Sequence, residues 1–78
     1  MMQAEAFLRE IELALELPEG SLKGDEKLED IPEWDSLAVI SFIALVDEKL
    51  GLAVDGEKLA ETKTVDDLMG LVREKLAA

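Results

Sequence analysis

The chain has no cysteine and no histidine among its 78 residues. Without cysteine, neither a disulfide nor a thiolate metal site can staple it. The same absence fits a reducing, cytoplasmic setting. Without histidine, no serine has the usual base that a hydrolase nucleophile needs. There is no GxSxG elbow and no glycine-rich phosphate loop, and an enzyme is not expected. Bases are scarce too: 8 Lys and Arg stand against 19 Asp and Glu, for a net charge of −11. Binding to nucleic acid or an anionic membrane depends on Lys and Arg neutralising phosphates, so both are excluded as partners. The longest apolar stretch, Leu37 to Val46, is broken by Ser41 and falls well short of the roughly 20 residues that span a bilayer. The N-terminus, Met1-Met2-Gln3-Ala4-Glu5, has no basic region followed by an apolar run, so no signal peptide is expected.

What the chain does have is periodic hydrophobicity. Hydrophobic residues make up 49% of it, which argues against disorder. The length predicts one domain over residues 1–78 with modest stability, and a monomer is expected. The charge is uneven: residues 1–35 hold 11 acids and 3 bases, residues 36–78 hold 8 and 5. Such a surface attracts basic patches on protein partners.

The spacing predicts an all-α bundle of four helices, three main and one short, with a long first loop. Residues 3–17 form the first helix, with Phe7, Leu8, Ile11, Ala14 and Leu15 on one stripe. Glu5, Arg9, Glu12 and Glu16 take the opposite side, and Pro18 and Gly20 end the helix. Residues 18–35 form a loop that Leu22, Leu28, Ile31 and Trp34 pin to the core, with a short helical turn around Asp25–Leu28. Residues 36–50 form the second helix, with Asp35 as N-cap and Gly51 as stop. Asp55 caps a short helix from Gly56 to about Glu61. Thr64 and Asp67 make a capping box for the last helix, whose stripe is Val65, Leu68, Met69, Val72 and Leu76. Gly70 within it costs roughly 1 kcal/mol relative to alanine, which a close helix contact would explain.

The second helix carries more apolar residues than one buried face needs. Val39, Phe42, Ile43, Val46 and Leu50 can face the core together. Leu37, Ile40 and Ala44 fall on another face with Ser36, Ser41 and Asp47. Either the helix is buried all round, or this second face is a docking surface. The position of Ser36 beside it favours docking.

Ser36 opens that helix, and four roles fit its position. It can cap the helix. It can be a nucleophile with a lysine as base, but Lys23, Lys27 and Lys49 all read as solvated. It can be phosphorylated, which the helix dipole tolerates. It can bear a phosphodiester-linked prosthetic group, whose phosphate the helix N-terminus equally suits. Asp25, Glu26, Glu29 and Asp30 cluster nearby. They lack the alternating ligands, central glycine and terminal glutamate of a calcium loop, and no built metal site is expected.

Asp35-Ser36-Leu37 at the head of an apolar helix resembles the acyl carrier proteins. Further support comes from the first helix, the long loop, the Asp47-Glu48-Lys49-Leu50-Gly51 helix end and the Thr64-Val65-Asp66-Asp67-Leu68 start. The resemblance covers nearly the whole chain. It implies that a phosphopantetheinyl transferase attaches 4′-phosphopantetheine from coenzyme A to Ser36, with Asp35 and Leu37 completing the motif. The carrier would then hold acyl intermediates as thioesters and present them to fatty-acid, polyketide or related biosynthetic enzymes. Those enzymes would dock with basic patches on Leu37, Ile40, Ser41, Ala44, Asp47 and Glu48. The resemblance also implies an acyl chain inserting near Phe42, Val46 and Leu59. Departures are Glu33-Trp34, where many carriers have glycine, and Ala38 and Ser41, where acids are common. They set a specialised polyketide, lipid or amino-acyl carrier beside the housekeeping fatty-acid role. The alternative is an unmodified helical adaptor that binds a partner through the exposed face of the second helix.

Overall fold

Phe7, Ile11 and Leu15 recur every fourth residue, so a helix places them on one stripe. In the computed structural model, which describes residues 2–77, all three are buried. The first helix, α1, runs Ala4–Ala14, shorter than the 3–17 expected. Its end is set by Glu16, which adopts a left-handed φ of 59°. The chain closes a Schellman turn there: the Leu17 amide donates to Glu12 O at 2.8 Å and the Glu16 amide to Leu13 O at 3.1 Å. Two further expectations fail on α1. Ala14 is exposed rather than on the buried stripe, and Glu12, expected on the solvent side, is 1% exposed.

Burial of Glu12 holds the loop in place. Its carboxylate accepts the amides of Gly20 at 3.1 Å and Leu22 at 2.7 Å, and pairs with Arg9 at 3.1 Å. Arg9 also donates to Leu22 O at 3.3 Å. A buried charge is tolerable when it is paired and hydrogen-bonded, and Glu12 is both. Further along, the loop is zipped to the segment before the last helix. Asp66 donates to Gly24 O at 2.7 Å, Val65 to Glu26 O at 3.0 Å, and Leu28 to Lys63 O at 2.8 Å. Gly24 has φ +125°, and a Cβ there would strike the Asp66 carboxylate. A helical turn does form, but as a single 3₁₀ turn at Leu28–Asp30 rather than around Asp25–Leu28. Glu26 is otherwise engaged, accepting the amides of Lys23 and Gly24.

The second helix, α2, spans Ser36–Leu50. Asp35 Oδ1 accepts the Ala38 amide at 2.9 Å, and Gly51 ends the helix in the left-handed region with its amide on Asp47 O. A short helix, α3, spans Gly56–Ala60 behind its cap Asp55. The last helix, α4, spans Val65–Val72 and begins with the expected capping box of Thr64 and Asp67. Leu76 packs on the core from beyond α4, after a 3₁₀ turn at Arg73–Lys75. Gly70 has no close neighbour: a Cβ there meets nothing within 4 Å, so the expected helix contact is absent.

The four helices enclose one hydrophobic cluster. From α2 it takes Ala38, Phe42 and Val46, spaced four apart. Val39, Ile43 and Leu50, expected to face the core with Phe42 and Val46, do pack against it, half-buried at its edge. Burying each large apolar side chain contributes about 1.5–3 kcal/mol. Among the described residues there is no strand and no helix long and apolar enough to cross a membrane.

Candidate functional site

Ser36 is the first residue of α2 and is exposed. The loop delivers it through consecutive turns: Ile31 donates to Leu28 O, Trp34 to Ile31 O and Asp35 to Glu33 O. Trp34 is half-buried and meets the Phe42 ring edge-on, with centroids 6.1 Å apart and planes at 76°. Phe42 meets Phe7 in the same manner at 6.2 Å. The three aromatic rings therefore join the loop, α2 and α1 in one row. Such contacts are worth about 0.5–1.5 kcal/mol each beyond area burial. They fix the residue two positions before Ser36 to the bundle.

At the helix head, the Ala38 amide is taken by Asp35 Oδ1 and the Val39 amide by Asp35 O. Among the described residues, the amides of Ser36 and Leu37 have no acceptor. Two free N–H groups and the positive end of a 15-residue helix favour a phosphate on this hydroxyl. The other two serines differ. Ser21 donates its hydroxyl to Pro18 O at 2.6 Å, and Ser41 is half-buried in mid-helix. Among the described residues the Ser36 hydroxyl makes no hydrogen bond to a lysine or any other side chain.

Leu37 is 70% and Ile40 63% exposed, so α2 is not buried all round. Ala44, Asp47 and Glu48 are exposed on the same helix, and Ser41 is half-buried. Ala38 corrects the comparison with acidic carriers: it is buried at 6%, so a carboxylate there would face the core and not a partner. Phe42, Val46 and Leu59 are packed in the closed core at 2%, 0% and 3% exposure. A groove of about 690 Å³ lies elsewhere, between α1, the loop at Gly20–Gly24 and α4, walled by Leu8, Leu22, Met69 and Leu76. Neither Ser36 nor any acyl-pocket candidate lines it.

Two carboxylates are held below their ordinary values. Partial burial works to raise the pKa of Glu26, but the amides of Gly24 and Lys23 outweigh it and lower the pKa from 4.5. The amides of Lys63 and Thr64 lower that of Asp67 from 3.8. Both are structural clasps. No group of three potential metal ligands is gathered among the described residues.

Sequence reasoning missed Glu12 as the clasp of the loop that leads to Ser36. A signal existed: Glu12 lies four residues after Leu8 and three before Leu15, within the apolar stripe. It also missed Leu13, which is 71% exposed.

A family model described as a phosphopantetheine attachment site matches residues 5–72 of the chain. No curated protein and no solved structure matches it significantly.

Proposed function

The chain belongs to the phosphopantetheine attachment site family, and from that premise we propose that Ser36 is its attachment residue. It is a carrier of 4′-phosphopantetheine and not an enzyme. The observation that carries the assignment to Ser36 is its setting: it is exposed at the head of α2, beside two amides without acceptors. Asp35 stabilises the helix start with its carboxylate turned to the Ala38 amide, and the N-terminal dipole of α2 favours the phosphodiester. The arm supplies the thiol that this cysteine-free chain lacks, for holding acyl groups as thioesters. Residues 1–78 then work as one carrier domain, monomeric, that presents acyl intermediates to fatty-acid, polyketide or related biosynthetic enzymes. Leu37, Ile40, Ser41 and Ala44 offer the docking face, and Asp47 and Glu48 lie beyond its far end. A chain entering near Phe42, Val46 and Leu59 has to displace packed side chains, because all three are buried.

Loading with labelled coenzyme A and a broad-specificity phosphopantetheinyl transferase tests the proposal. Wild type takes one label and Ser36→Ala takes none. After acyl loading, neutral hydroxylamine releases the acyl group, as it does from a thioester. An unmodified adaptor would instead keep its partner binding in Ser36→Ala and lose it in Ile40→Glu. Label retained by Ser36→Ala overturns the assignment.

A further inference from the structure

Residues 36–46 of α2 contain no charged side chain. The first acids on that helix, Asp47 and Glu48, begin eleven residues after Ser36, about 16 Å along the axis. Lys49 follows them directly and offsets half of their charge. At physiological salt the screening length is about 8 Å, so this end is electrostatically remote from the serine. The nearer acids lie on the other side, in the loop. Glu33 is three residues from Ser36, within about 10 Å by chain length alone. Glu29 and Asp30 stand in the 3₁₀ turn just before it. All three are exposed, and among the described residues none has a cation within ion-pair distance, the one ion pair being Arg9–Glu12. Hydrogen bonds through the turns at Ile31, Trp34 and Asp35, with the Trp34–Phe42 contact, hold this acidic segment against the head of α2.

Ser36 thus sits at a seam, with apolar Leu37 and Ile40 on the helix side and carboxylates on the loop side. We propose that partner enzymes dock across this seam, with an apolar socket over Leu37 and Ile40 and basic residues facing Glu29, Asp30 and Glu33, not basic residues ranged along α2. The inference rests on Ser36 being the attachment residue. Each part has its own role. The apolar contact excludes water around the hydroxyl and is insensitive to salt. The loop carboxylates steer the encounter and weaken as salt rises.

The test measures kcat/KM for transfer from coenzyme A by a phosphopantetheinyl transferase, at low and high salt, on the full chain. Three variants are compared after circular dichroism confirms the fold: Glu29→Gln/Asp30→Asn/Glu33→Gln, Asp47→Asn/Glu48→Gln, and Ile40→Ser. The loop variant is expected to lose about tenfold at low salt, in line with electrostatic steering, and to lose most of its salt dependence. The helix-end variant stays within about twofold of wild type, and Ile40→Ser loses about tenfold at both salt concentrations. A larger loss in the helix-end variant than in the loop variant overturns the inference while leaving Ser36 as the attachment residue. So does an Ile40→Ser variant that loads like wild type. If wild type itself takes no phosphopantetheine, the attachment proposal fails and this inference falls with it.

Discussion

Replacing Glu12 by glutamine perturbs the one charged side chain buried among the described residues and keeps its size. The native carboxylate satisfies two loop amides, Gly20 and Leu22, and the Arg9 guanidinium. Glutamine has a single carbonyl oxygen, so one amide loses its acceptor and faces an NH₂ group. Leaving one buried donor unsatisfied costs about 1–3 kcal/mol, and turning the other bond from charge-assisted to neutral costs about 1 more. Loss of the Arg9 partner adds up to about 1 kcal/mol, because that guanidinium is partly solvated. The expected loss is about 2–5 kcal/mol. A domain of this length is stable by about 4–12 kcal/mol, so a large share is at stake. Urea unfolding followed by far-UV circular dichroism reads the loss, and amide exchange reports early opening at Leu22. Arg9→Met is expected to cost less, since both loop amides keep the carboxylate. A Glu12→Gln variant within about 1 kcal/mol of wild type, with the Leu22 amide still protected, would refute the clasp.

Other consequences follow from local geometry. Glu16→Gly places the preferred residue at a left-handed C-cap and is expected to gain about 0.5–1 kcal/mol. Gly70→Ala meets no neighbour in an exposed helix interior and is expected to gain a similar amount. Thermal melts check both, and a lowered Tm in either counts against its local account. The carboxylates of Glu26 and Asp67 are held below their ordinary values of 4.5 and 3.8. Their stabilisation is therefore complete above about pH 4.5 and lost as pH falls through their folded values. Glu26→Gln with Asp67→Asn should flatten the acid limb of the stability profile, and an unchanged limb contradicts the assignment. Trp34, half-buried against Phe42, should fluoresce to the blue of its position in denaturant. Coincident maxima would show that it does not anchor the loop.

The features legible in the sequence are those written locally. Asp35, Gly51, Asp55 and the Thr64–Asp67 pair each cap a helix within their own turn, and the structure places each as the pattern predicts. Glu16 is the opposite case: a left-handed residue without glycine leaves no mark, and α1 ends at Ala14, four residues before Pro18. Glu12 and Ala38 depend on tertiary packing. A carboxylate is buried only because a distant loop folds back to offer amides, and an alanine is core because the face of α2 that it shares with Phe42 and Val46 is the one packed inward. The exposure of Leu37 and Ile40 was readable as an alternative, since a bundle this small has no second core to bury them. Room for an acyl chain was not legible, because it depends on how closely Phe42, Val46 and Leu59 pack.

The central claim is that one hydroxyl, on Ser36, takes the phosphopantetheine arm. Intact mass spectrometry after incubation with coenzyme A and a phosphopantetheinyl transferase tests it most directly. A mass gain of one phosphopantetheine, mapped to the peptide containing Ser36 and absent from Ser36→Ala, is the predicted result. No gain in wild type, or an equal gain in Ser36→Ala, would contradict it.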